Sequence, residues 1–322
     1  MTGRVRVWLA VVAKFAVTFG LLAWLLHSVD WSELLQRIAG IRTAPLILAI
    51  ILLIAIVIPV ARRWNLIVSA LGGSITFFNA LRMTLMTVLI NQSVPSNLGG
   101  DAYRVVATTR SGMPWTRATL AAIVDRLIAL LALAIITLFG VLALLDHTEL
   151  GNHRLLALLG TCLIVGGALT AWIFFRSHTA AKLADGMDIL RRLIDALSEL
   201  LNQPANTTYL IVLSIIVQCI TIAVMCLVAI NVGLKVPLFP MVGVCALGLL
   251  IARLPVSYGG WGVREGTLVL GFAPFGVSRE AALAASITYG LTELAAAIIG
   301  GILWAVLTAA ADTKAGQKRH AS

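Results

Sequence analysis

PSNLGGDAYR, Pro95 to Arg104, and PVSYGGWGVR, Pro255 to Arg264, are two copies of one pattern, P-x-x-x-G-G-x-x-x-R, set half a chain apart. Each copy closes a short apolar run, from about residue 77 to Pro95 and from about 238 to Pro255, and each precedes a long apolar segment. Proline ends an incoming helix because it lacks an N–H. Paired glycines then permit a reversal at positive φ and let another group approach the backbone closely. Backbone freed in this way at membrane depth has to be satisfied by protein or line a wet cavity. A helix that restarts after the break offers free N–H groups and a dipole to an anion. Asn97 and Ser257 are candidate caps for those restarts. Gly99, Gly100, Gly259 and Gly260 form the breaks, and Arg104 and Arg264 fall about one turn beyond them. One such copy reads as a turn between ordinary helices. Two in matched contexts favour paired re-entrant hairpins, a known mark of transporter sites.

Working outward, the rest of the chain is lipid-soluble. Of its 322 residues 60% are hydrophobic and 12% charged, against about 25% charged in soluble domains. Apolar runs at about 8–26, 44–61, 118–145, 155–175, 207–231 and 280–310 are long and continuous, which suits spanning helices and excludes the short alternating strands of a barrel. The expected fold class is therefore an all-α integral membrane protein. It has six full spans plus two re-entrant broken hairpins in inverted-repeat halves, residues 1–153 and 154–311. Eight full spans are the alternative, which places 96–117 outside against the charge rule. Between the halves, Leu183, Met187, Leu190, Ile194, Leu197 and Leu201 recur at helical spacing, so an amphipathic surface helix is expected over about 177–202. Residues 312–322 read as a basic disordered tail.

The net charge is +10. Its Arg and Lys residues cluster beside apolar runs, which fits topology signals and anionic lipid and not a nucleic-acid face. Arg4, Arg6, Arg62, Arg63, Arg104, Arg110, Arg117, Lys314, Lys318 and Arg319 are expected on the cytoplasmic side, with both termini inside. The first hairpin then opens from the cytoplasm and the second from outside. The run Trp8–Leu26 lacks a small-x-small cleavage site and reads as an uncleaved span. Cys162, Cys219, Cys226 and Cys245 lie in apolar runs without a C-x-x-C pair, as packing residues do. No metal set, Walker A loop or G-x-S-x-G elbow occurs, so neither cofactor nor catalytic residue is assigned.

Three further ionisable residues lie within spans. Asp125 and Arg126 fall in the run 118–145, and Glu293 in the run 280–310. Charges at such depth face a cavity or each other. Headgroup contact, a proton pathway, or structural pairs of Asp125 with Arg104 and Glu293 with Arg264 are all open from the residues alone. Asp101 is a further acidic candidate beside the first glycine pair.

NQSVPSNLGGDAYRV followed by AAIVDRLIALLAL, and ARLPVSYGGWGVREG followed by ITYGLTELAAAIIGGIL, resemble the lysylphosphatidylglycerol synthase transmembrane-region family, also called flippase-like or UPF0104 proteins. The resemblance covers nearly the whole chain. It implies a relative of the flippase half of bacterial aminoacyl-phosphatidylglycerol proteins, which moves a modified phospholipid between leaflets. By carry-over, Pro95, Gly99, Gly100, Arg104, Asp125, Arg126, Pro255, Gly259, Gly260 and Arg264 border the lipid site. A chain of this length leaves no room for the soluble aminoacyltransferase domain, so lysyl-lipid synthesis is not expected. Tyr289-Gly290-Leu291 departs from the family pattern, which carries Arg after the Tyr, so symmetrical headgroup binding is not expected either.

The expected function is lipid translocation across a bacterial inner membrane, with a phospholipid or lipid-linked glycan as partner and no nucleic acid. A homodimer or a lipid-synthesis enzyme are the protein partners left open. The alternatives are a membrane-embedded lipid-modifying transferase, with Asp101, Asp125 or Glu293 as acid or base, and a non-catalytic scaffold for a lipid-synthesis enzyme.

Overall fold

Pro59 shapes the first long helix. Its ring removes the hydrogen bond to residue 55 and crowds that carbonyl, and the chain divides there into α3 (Thr43–Ala55) and α4 (Val57–Ala70). The two still read together as one apolar span, Thr43–Ala70. The computed structural model describes residues 15–27, 29–93, 99–145, 186–253, 257 and 259–320. Every regular element among them is helical.

Before α3 come α1 (Phe15–Leu26) and α2 (Trp31–Ala39), which meet at 97°. Asp30 sets that corner. Its carboxylate accepts the N–H groups of Ser32 at 2.8 Å and Glu33 at 3.3 Å, capping α2 as N-cap aspartates do. After α4 come α5 (Phe77–Ser93), α6 (Gly99–Arg110) and α7 (Trp115–Leu145). The second half supplies α8 (Gly186–Leu201), α9 (Pro204–Asn231), α10 (Leu238–Ala252), α11 (Val263–Phe272) and α12 (Arg279–His320).

Among the described residues four helices are long and apolar enough to cross a membrane: Thr43–Ala70, Trp115–Val141, Pro204–Asn231 and Arg279–Ala309. The bent α1–α2 pair makes a fifth if it counts as one span. The expected span at 155–175 lies outside the described residues, as do Pro95, Asn97 and Pro255. The legs of the two breaks are short. At 1.5 Å per residue α6 is about 18 Å long and α11 about 15 Å, against a hydrocarbon core of about 30 Å.

The halves interlock. α5 packs on α6 and α10 on α11, so each break joins two legs of a hairpin. The long helix of each half then lies along the other half's hairpin: α7 along α10, and α12 along α5. Small residues permit this. A Cβ added at Gly140 of α7 would stand 2.6 Å from the Cα of Gly243 in α10, so the two backbones touch, as small-residue crossings in membranes do. One buried cluster, including Trp64, Ile67, Val105, Val124 and Leu210, sits among α4, α6, α7 and α9. The other, including Met225, Leu249, Leu268, Phe272 and Leu283, gathers α9 to α12 with Leu25, Leu34 and Ala49 from the first three helices. Ile51, Leu131, Phe139, Ile211 and Ile302 remain exposed, an outward apolar belt suited to lipid.

Two expectations are corrected. The helix begun near residue 44 does not stop at 61 but runs to Ala70, which carries Arg62 and Arg63 inside it. Arg63 and Arg104 are buried, so neither is a surface charge marking the cytoplasmic side. α12 itself is described as far as His320. The amphipathic helix is described as α8 from Gly186, with Ala196 and Leu200 buried and Leu193 and Leu197 packed beside the Trp64 cluster. Cys226 and Cys245 are buried free thiols.

Candidate functional site

The two glycine pairs do different work. Gly100 is helical, and a Cβ there would come within 2.5 Å of the Thr87 methyl and 2.6 Å of Asn91 Oδ1. Its N–H donates to Asn91 Oδ1 at 2.9 Å, and the Thr87 hydroxyl donates to its carbonyl at 3.3 Å. So Gly100 lets α6 lie flush on α5. In the second copy Gly259 and Gly260 do reverse the chain, at φ 58° and 82°, and Gly260 packs on Ala252. The expected cap Ser257 is buried, and its Oγ has no hydrogen-bond partner. The start of α11 is closed instead by Glu265, whose carboxylate accepts the Gly262 N–H. Asn91 and Glu265 thus hold amides that the sequence left open for an anion.

The first centre joins α4, α5, α6, α7 and α9 around Asp125. Arg63 donates to it twice, Nε to Oδ1 at 2.6 Å and Nη2 to Oδ2 at 3.1 Å, and its Nη1 donates to Ser214 Oγ at 3.1 Å. Arg104 donates to the same Oδ2 at 3.4 Å and to Thr84 Oγ1 at 3.2 Å. Its guanidinium lies 5.3 Å from the Trp64 ring centroid, within cation–π range. Two guanidiniums therefore share one buried carboxylate. Arg104 Nε and Trp64 Nε1 are buried donors without a partner, and such groups call for a bound water or ligand. Asp101 and Arg126 pair separately at 2.6 Å, both partly exposed.

The second centre inverts that balance. Arg264 lies 5.0 Å from the Trp261 ring and 5.2 Å from the Tyr289 ring. It donates to Glu265 at 3.0 Å, Glu293 at 3.2 Å, Ser286 Oγ at 2.9 Å and the Ser286 carbonyl at 3.1 Å. Ser286 donates to Glu265 at 2.7 Å and Tyr289 to Glu293 at 3.1 Å. Here two carboxylates share one guanidinium. Gly290 is what admits the indole: a Cβ there would meet the Trp261 ring at 2.5 Å and Arg264 at 2.7 Å.

Of the residues singled out in the sequence, the structure groups Gly100, Asp101, Arg104, Asp125 and Arg126 on one side and Gly260, Arg264 and Glu293 on the other. Arg63, Trp64, Ser214, Glu265 and Ser286 were missed. Gly262-x-x-Glu265 carried a legible signal, the spacing of a helix-start capping box. Arg63 carried a misleading one.

A chain with two interrupted hairpins, each pairing an arginine with an acid on the following long helix, can be compared with known proteins. The model of the lysylphosphatidylglycerol synthase TM region matches residues 11–301. A UPF0104 membrane protein of Methanothermobacter thermautotrophicus is 21% identical over 310 residues, covering 86% of this chain and 87% of the relative. The protein is a multi-pass α-helical membrane protein and belongs to the lysylphosphatidylglycerol synthase transmembrane-region family.

Proposed function

We propose that this protein translocates a lipid with an anionic phospho- or glycolipid headgroup, and that the headgroup docks at the first centre. The observation that carries this reading is the Arg63–Arg104–Asp125 cluster, with its surplus guanidinium and two buried N–H donors left unpaired. Unsatisfied donors beside excess positive charge in a low-dielectric interior favour an anion. Family membership supports a lipid-related role. In this reading the hairpins are re-entrant, which their short second legs favour. The halves 1–153 and 154–311 act as inverted repeats that close alternately around the site. The setting is a bacterial cytoplasmic membrane with both termini inside, an orientation that now rests on exposed Arg110 and Arg117.

Arg264 has a lesser place in headgroup binding than the sequence suggested, because its donors are already taken. The transferase reading is weaker too: Asp101, Asp125 and Glu293 are each held by an arginine within 2.6–3.4 Å.

The test is movement of fluorescent phosphatidylglycerol between leaflets of phosphatidylcholine vesicles containing the purified protein. Arg104→Ala is expected to slow movement at least about tenfold, the loss of one charge-assisted contact, while eluting as the folded protein. Unchanged movement would remove the proposal.

A further inference from the structure

α5 and α12 cross antiparallel on small residues. A Cβ added at Gly301 of α12 would stand 2.7 Å from Leu89 Cδ2 of α5. About two turns along each helix from that contact, Arg82 Nε donates to Thr308 Oγ1 at 3.2 Å. Thr308 falls in the last turn of the apolar stretch Arg279–Ala309. Arg82 therefore stands where α12 leaves the hydrocarbon, at the level of the lipid headgroups.

α6 closes the third side. Tyr103 and Arg110 are two turns apart and share one face of that helix. Arg82 and Arg110 both act electrostatically on the Tyr103 phenol, and Trp304 of α12 engages its hydroxyl. Tyr103 is half-buried, while its chain neighbour Arg104 turns inward and is buried. This groove is thus separate from the first centre.

An arginine on an apolar helix takes a counter-charge or reaches water. Among the described residues neither Arg82 nor Arg110 has a carboxylate within ion-pair distance. α5 carries no other charge. On α6, Asp101 is tied to Arg126 and Arg104 to Asp125. α4, which also packs on α5, brings Arg62, bound to Asn65, and Arg63, bound to Asp125. Arg117 of α7, the helix after α6, donates to the Leu71 carbonyl. α2 and α11 meet α12 nearer its other end, and α3 and α9 are uncharged within their helices. Residues 294–311 of α12 are uncharged, and Asp312 follows one turn beyond Thr308, with Lys314 behind it. One carboxylate there balances at most one of the two arginines.

The rim of the groove is apolar. Phe78, one turn before Arg82, is exposed, as are Ile302 and Val306 on α12. A phospholipid matches such a rim with its acyl chains while its phosphate reaches the guanidiniums, as in basic pockets between membrane helices.

We propose that the groove between α5, α6 and α12 binds an anionic phospholipid, with its phosphate between Arg82 and Arg110 and the Tyr103 hydroxyl donating to it. Charge-assisted bonds to both arginines hold it there. A zwitterionic lipid is disfavoured, because its ammonium meets the same two cations. The bound lipid ties the first hairpin to the long helix of the other half. It does so whether or not the protein translocates lipid.

Native mass spectrometry of the purified protein, titrated with phosphatidylglycerol or phosphatidylcholine, tests this. Phosphatidylglycerol should be retained at least about tenfold more tightly, the size of one charge-assisted contact. Arg82→Gln combined with Arg110→Gln should lose one bound phosphatidylglycerol. An equal count in this double variant and the parent would overturn the site and leave the translocation reading untouched. A lipid lost on Arg104→Ala instead belongs to the first centre. Excess inorganic phosphate should leave the count unchanged, and displacement by it would overturn the assignment to a lipid. If the double variant does not fold, quenching in the unaltered protein decides. Brominated acyl chains should quench Trp304, read as the difference from Trp304→Phe, more strongly on phosphatidylglycerol than on phosphatidylcholine. Equal quenching by the two lipids removes the proposal.

Discussion

Asp125 holds two arginines, so removing it strands more charge than it takes away. Asp125→Asn leaves Arg63 and Arg104 facing each other with no counter-charge, a loss of about 3–5 kcal/mol for a broken buried pair. A second change, Arg63→Gln, should give part of that back. The double variant is expected to be more stable than the sum of the single losses by about 1–3 kcal/mol. Thermal melts of the four proteins in one detergent measure it, and strict additivity would mean the contact does not bind the two residues together. Arg104→Lys tests geometry separately from charge. A lysine cannot reach Asp125 and Thr84 together while lying over Trp64. It should melt close to the parent yet move lipid several-fold more slowly in the vesicle assay. At this scale the pairs Arg104–Asp125 and Arg264–Glu293 were legible as one of the open readings, because an acid follows each motif arginine into the next apolar run, 21 residues on in one half and 29 in the other. Arg63 was not. A basic doublet after an apolar run looks like a topology signal, and nothing local says that the helix continues past Pro59 far enough to bury it.

The hairpins were legible as elements, since only a break explains Pro and Gly-Gly inside apolar sequence. What each glycine does was not. The first copy uses Gly100 for contact and the second uses Gly260 for a turn, although the letters are the same, because the partner surface is supplied by α5 in one case and by Ala252 in the other. Helical glycines in the second legs of the two hairpins should respond to alanine with opposite signs. Gly100→Ala forces a methyl into Thr87 and Asn91 and should cost about 1–3 kcal/mol. Gly266→Ala in α11 meets nothing within 4 Å and should stabilise by about 0.5–1 kcal/mol through helix propensity. Melting temperatures that move the same way in both would contradict the packing described for α6 on α5.

For the molecule as a whole, the repeat was visible in the sequence but the exchange of partners was not. Spacing along one chain says where α7 and α12 begin. It does not say that each will lie against the other half's hairpin, which follows from how apolar faces and small residues match in three dimensions. The exchange predicts that residues 1–153 expressed alone, and the remainder expressed alone, fail to give monodisperse detergent-solubilised protein. Expressed together as two pieces, they should copurify through a tag on either one. Two well-behaved separate halves would show that the interlock is dispensable. The touching backbones of Gly140 and Gly243 set a further condition on how such halves could shift. Where two helices meet with only hydrogen atoms between them, neither can slide without collision. Because α7 and α10 also lie along one another, the pair is locked in register and would travel as one body, so any rearrangement between the halves has to fall on other seams.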